Sequence, residues 1–66
     1  MRNKVRENRV KHGITQKGLA ELIGVSRQSI IAIESGRYVP STVLALKLSL
    51  TLKSGVEELF ELEEGD

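Results

Sequence analysis

Along Gln16–Ile23 the apolar residues Leu19, Ala20, Leu22 and Ile23 recur at the one-, three- and four-residue spacings of a helix with one buried face. Thr15 stands where that helix takes its N-cap. Gly24 ends it, because the position after a helix favours the left-handed backbone that glycine adopts freely. Two residues later Ser26 caps a third helix, Arg27–Ser35, closed by Gly36 in the same manner. Upstream, Asn3 to Lys11 reads as a first helix with Val5, Arg9 and Val10 turned inward, closed by Gly13. Downstream, Pro40-Ser41 opens a fourth helix, Thr42–Leu52. Ser54 with Glu57 forms a capping box for a fifth, from Gly55 to about Leu62. The tail Glu63-Glu64-Gly65-Asp66 is acidic and is expected to fray. No strand pattern competes. Short connections between the segments predict an all-α fold, a compact five-helix bundle with mostly local contacts.

The fourth helix is apolar on two sides. Leu44, Ala45, Leu48 and Leu52 fall on one face, Val43, Leu46 and Leu50 on nearly the opposite one. A helix buried all round belongs at the centre of a bundle, and 66 residues leave little material to cover both faces. One stripe is expected against the second, third and fifth helices. The other, joined by Phe60 and Leu62, is expected to bury against a second copy, unless the last helix and the tail fold over it within one chain. A chain this short buries only roughly 60% of its unfolded surface. With no cysteine there is no disulfide to help, which leaves a partner chain as the usual aid.

The third helix divides differently. Projected at about 100° per residue, Ile30 and Ile33 face the core, while Gln28, Ile31, Ala32 and Ser35 face away with Arg27 at the N-terminal edge. That outward face has no acid, has small residues at Ala32 and Ser35, and carries a guanidinium and an amide at its tip. These groups suit base edges in a major groove: arginine on guanine, glutamine on adenine, an apolar side chain such as Ile31 or Ala32 against a thymine methyl. A chance polar face would show the same residues. Two helices joined by a tight Gly-Val turn cross steeply, as in a helix-turn-helix, where the second enters the groove N-terminus first. Gln16, first in its helix, would then stand near a phosphate together with the free N–H groups there.

Charge adds to this picture. Residues 1–40 carry eight Lys/Arg against three Glu, a balance of +5, and residues 41–66 a balance of −4, within a net charge of +1. Such segregation suggests one polyanion-facing half, although solvated faces often differ by a few charges. No apolar run approaches the ~20 residues of a bilayer span. Met1-Arg2-Asn3-Lys4 leads into a charged helix without a signal-peptide core, so a cytoplasmic, soluble protein is expected, with no membrane partner. An enzyme is not expected. His12 is the only histidine, no nucleophile–base set can be drawn, and no glycine loop cradles phosphate. Glu57-Glu58 and Glu63-Glu64 read as solvated acids, so neither a metal nor a cofactor nor a small-molecule ligand is called for.

With these residues in view, the stretch GITQKGLAELIGVSRQSIIAIESGRYVPS and its continuation LKLSLTLKSGVEELF resemble the Xre/Cro/CI-type helix-turn-helix transcriptional regulators over nearly the whole chain. Short members consisting of this domain alone are the most similar. The resemblance implies the phage-repressor type of DNA-binding bundle: a single domain over 1–66, with the helix-turn-helix at 16–35 and a dimerisation half at 42–62. It implies that Arg27, Gln28 and Ala32 hold base-reading positions with Ser26 and Ser29 beside them. Gln16 would bond a phosphate and brace Arg27, and Lys17, Arg37 and Tyr38 would lie along phosphates. Arg9 and Glu34 would form a buried ion pair tying the first helix to the third. Three positions depart from the pattern away from the reading face: Asn8 and Gly18 in the first two helices, and Lys53 where a glycine or asparagine often ends the fourth helix; on that face, Ala32 lacks the hydrogen-bonding groups that some members carry at its base-reading position. Gly18 should weaken its helix by roughly 1 kcal/mol. The function implied is a homodimeric, sequence-specific repressor on a palindromic operator in double-stranded DNA. The alternative is a small antitoxin-like or adaptor module that binds protein, with DNA contact secondary.

Overall fold

Ten side chains drawn from all five helices close the core in the computed structural model, which describes residues 1–66: Val5, Leu19, Ala20, Ile23, Ile30, Ile33, Leu44, Leu48, Leu52 and Leu59. The elements run β1 (Arg2–Asn3), α1 (Val5–Lys11), α2 (Gln16–Ile23), α3 (Arg27–Glu34), α4 (Thr42–Leu52), α5 (Val56–Leu59) and β2 (Phe60–Glu61). The broadest helix contact is between α2 and α3, and α4 lies against α1, α2 and α5.

Local chemistry explains the three best-defined helix starts. The hydroxyls of Thr15, Ser26 and Ser41 each accept the backbone N–H three residues on, from Gly18 at 2.9 Å, Ser29 at 3.2 Å and Leu44 at 3.2 Å. Each bond satisfies a donor that the helix itself leaves free. Gly24 ends α2 at φ 75°, in the left-handed region, and lets the chain turn at once into α3. Lys53 ends α4 at φ 52°, with its N–H donating to the Ser49 carbonyl, so a lysine holds a conformation that suits glycine. Asn8 donates to the Lys4 carbonyl at 2.8 Å, which satisfies its amide within α1.

Both ends of the chain differ from the sequence expectation. The first helix begins at Val5 and not at Asn3, because Arg2 and Asn3 pair antiparallel with Glu61 and Phe60. The fifth helix is a single turn that stops at Leu59 and not near Leu62, since the next two residues are the other side of that ribbon. Two-residue strands are too short to show alternation, so the sequence carries no sign of them. Gly55, and not Ser54, caps α5 and makes no side-chain bond; the Ser54 carbonyl accepts the Ser49 hydroxyl at 2.6 Å and its N–H donates to the Ser49 carbonyl, which holds Ser54 to the end of α4. The acidic tail closes in a turn instead of fraying: the Glu63 N–H donates to Asp66 Oδ2 at 2.7 Å, and the Met1 amine contacts Glu63 and Asp66. The bonds it donates to these two carboxylates, Glu63 first, raise the amine's pKa, and bonds from the Glu63 N–H and the amine lower that of Asp66.

Two inward assignments also change. Val10 and Leu22 are exposed, at 61% and 64%. Val10 lies about 140° around α1 from Val5, whereas Arg9 lies only about 40° away. Leu22 falls about 60° outside the sector of α2 that Leu19, Ala20 and Ile23 cover. On α4 the two stripes separate: Leu44, Leu48 and Leu52 are buried, and Val43, Leu46 and Leu50 face solvent. Phe60 packs partly into the core from β2, and Leu62, beyond β2, is exposed.

Replacing Lys53 by glycine should stabilise the fold by about 0.5–1 kcal/mol, the relief of a left-handed side chain less the added freedom of the unfolded chain. A thermal melt should show a midpoint higher by roughly 2–6 °C. An unchanged or lowered midpoint would mean that Lys53 is not strained.

Candidate nucleic-acid interface

α2 and α3 are joined by Gly24-Val25-Ser26. The Val25 N–H returns to the Ala20 carbonyl at 3.0 Å, and the Val25 side chain packs against the core, which holds the turn between the two helices. Ile30 and Ile33 anchor α3 from below with no exposure. What remains outward is Arg27 and Gln28, both exposed, with Ile31 and Ala32 half-buried behind them and Ser35 exposed at the far end.

Beneath this face runs a chain of charged hydrogen bonds. Arg9 from α1 donates through Nε to Glu34 Oε2 at 2.7 Å and through Nη2 to Oε1 at 3.3 Å, while its Nη1 donates to the Ile14 carbonyl at 2.8 Å. The two side chains are only 11% and 5% exposed. Gln16 at the start of α2 donates its amide to Glu34 Oε1 at 3.2 Å, and Gln16 Oε1 accepts from Arg27 Nη2 at 3.4 Å. No buried side-chain polar atom in the molecule lacks a partner.

The same residues line an open concavity between α1, the start of α2 and α3, shared by Arg6, Arg9, Thr15, Gln16, Lys17, Arg27, Ile31, Glu34 and Ser35. Glu34 is its one acid, and Arg9 neutralises it. Arg6, Lys17 and Arg27 are left as exposed cations around a shallow floor. Such a surface attracts an extended polyanion and repels nothing along it.

The structure therefore brings Gln16, Lys17 and Arg27 together with Arg9 and Glu34. It does not bring Arg37 and Tyr38 there: both follow the C-terminal end of α3, where Arg37 Nε donates to Ser35 Oγ at 3.0 Å and Tyr38 is 44% exposed. Ser26 and Ser29 are engaged with each other, since the Ser26 hydroxyl accepts the Ser29 N–H and lies 3.1 Å from Ser29 Oγ. Arg6 is the residue that sequence reasoning missed. Its signal was present: Arg6 and Arg9 are three apart on α1 and so share a side of that helix.

The helix-turn-helix family model matches residues 5–59. The uncharacterized HTH-type transcriptional regulator YgzD of Bacillus subtilis is 48% identical over 64 residues, 97% of each chain. An HTH-type transcriptional regulator of Methanothermobacter thermautotrophicus is 48% identical over 65 residues, 97% of this chain and 94% of the relative. Among solved structures, the restriction-modification controller protein C.AhdI from Aeromonas hydrophila superposes with a TM-score of 0.79 at 37% identity, over 86% of both chains.

Removing one partner of the Arg9–Glu34 pair strands a nearly buried charge. Arg9→Met should cost about 3–5 kcal/mol in urea unfolding. A loss below about 1 kcal/mol, the range of surface pairs, would show that water reaches the carboxylate after all.

Proposed function

The chain belongs to the helix-turn-helix family of DNA-binding transcriptional regulators, and from that footing we propose that it is a homodimeric repressor of a palindromic operator. The observation that carries the reading is the uncovered Arg27–Gln28 tip of α3, set at the edge of a concavity whose only acid is neutralised from within. In this reading α3 enters the major groove N-terminus first. Arg27 and Gln28 read base edges, Ile31 and Ala32 meet thymine methyls, and Ser29 stands behind them. Gln16, Lys17 and Ser26 hold one stretch of phosphates at the start of α2 and α3. Arg37 and Tyr38 hold another at the far end, and Arg6 joins the first group.

One such helix contacts too few base pairs to choose a site in a genome. A two-fold dimer places two of them about 34 Å apart, one turn of DNA. The exposed face of α4 supports such a dimer. Leu50 is 80% and Leu46 52% exposed, with Val43 on the same face, Leu46 and Phe60 both line an apolar groove at its edge, and Leu62 is likewise exposed. In this reading the bound dimer occupies a promoter in the cytoplasm and represses by excluding other proteins from it.

Selection of bound fragments from random duplex DNA should yield a two-fold consensus whose log affinity falls steeply with log salt. Weak binding without base preference would favour the adaptor reading instead. On the selected site, Gln28→Ala should cost about 1–3 kcal/mol and relax one base step, whereas Lys17→Ala should weaken all sequences alike and flatten the salt slope. Equal behaviour of the two variants across operator changes would overturn the division into reading and positioning residues.

Leu46→Asp should convert the dimer to a folded monomer in analytical ultracentrifugation and cut operator affinity at least tenfold. A variant that stays dimeric would place the interface elsewhere.

A further inference from the structure

We infer that Glu34 is a positioning residue for base reading, acting through Gln16 on Arg27; this rests on the DNA-reading function proposed above. A carboxylate only accepts hydrogen bonds, so of the two ends of the Gln16 amide it is the NH2 that must turn toward Glu34. The bond is 3.2 Å. The carbonyl oxygen is then directed to the tip of α3, where it accepts from Arg27 Nη2 at 3.4 Å. Turned the other way, the amide would set its oxygen against a carboxylate and its NH2 against a guanidinium, unfavourable at both ends. The inner charge does not move to accommodate it: Glu34 is held by two nitrogens of Arg9, whose third nitrogen is bonded to the Ile14 carbonyl just before α2. A line of polarity thus runs from backbone to Arg9, Glu34, Gln16 and Arg27, from the interior to the reading surface. Its outermost link is long, so it steers the guanidinium rather than locking it.

This arrangement separates two roles that a buried ion pair would otherwise merge. If Glu34 only supports the fold, losing it lowers the folded fraction, and apparent affinity for every duplex falls by the same factor. If it also orients Arg27, discrimination changes at the base pair that Arg27 reads and nowhere else. Glu34→Gln probes the difference. The single side-chain oxygen of the new amide is claimed by Arg9, its NH2 then faces Gln16, and the Gln16 amide inverts so that its own NH2 meets Arg27.

The experiment measures affinities of the full chain for the selected operator and its single-base variants. Arg27→Ala identifies the base pair that Arg27 reads, where the wild type should prefer its base by roughly tenfold or more. Glu34→Gln should reduce that preference to within about threefold, leave the preferences at the Gln28 step intact, and add nothing further when combined with Arg27→Ala. Asn3→Ala is the stability control. It removes the 2.8 Å bond from Asn3 Nδ2 to the Ile33 carbonyl, which lies outside the line, and should leave every preference unchanged. Should Glu34→Gln fail to fold, Gln16→Met, of similar shape and without a donor or acceptor, should show the same selective loss together with a uniform weakening. A preference at the Arg27 base pair that survives in Glu34→Gln or Gln16→Met overturns the inference, as does an Arg27→Ala variant that relaxes no base pair. A wild type that selects no consensus at all overturns instead the DNA-reading function beneath it.

Discussion

The Glu34 side chain is 5% exposed, and an ion so placed forfeits several kcal/mol of hydration unless its neighbours replace the water. The replacement comes from three donor nitrogens on two helices, two of Arg9 on α1 and the amide of Gln16 on α2, while Glu34 itself closes α3. Satisfying one anion therefore requires three helices to meet at one point. That meeting sets the start of α2 beside the start of α3 and leaves Lys17 and Arg27 on a common rim. The outward electrostatics follow from the same constraint. Because the only acid of the concavity is neutralised from inside, the rim presents cations alone.

Around this polar junction the apolar core is small. Ten buried side chains serve 66 residues, while eight large apolar side chains remain exposed. A two-residue ribbon adds cohesion where there is no room for more core: β1 pairs with β2, Asn3 bonds the end of α3, and the Lys4 N–H donates to the Leu59 carbonyl at 2.7 Å. Both ends of the chain are thereby held to the same side of the bundle. The exposed stripe of α4 is apolar surface that this chain does not cover with any of its own elements, which accords with association between copies.

Much of the fold was legible because its signals are local. The boundaries of α2, and the starts of α3 and α4, follow from hydroxyl caps and from glycine, each acting within four residues of the chain, and the core stripe of α4 follows from helical period alone. The apolar pattern was less reliable at the margins of each stripe. Val10 and Leu22 have the composition of core residues but sit at angles that no neighbouring helix reaches. The ends of α1 and α5 were not legible. Asn3 and Phe60 are 57 positions apart, and only their pairing turns both stretches from helix into strand.

The candidate site divides in the same way. An outward arginine and glutamine at the start of α3, without an acid beside them, are consequences of order along one helix, and sequence determines them. That Arg6 joins the concavity and that Arg37 and Tyr38 stand away from it were decided only by tertiary structure. Capping, periodicity and charge order are interactions between near neighbours, so they can be read from the chain. The orientation of the Gln16 amide depends on a carboxylate 18 residues away, and that distance closes only when α1, α2 and α3 pack around a shared charge.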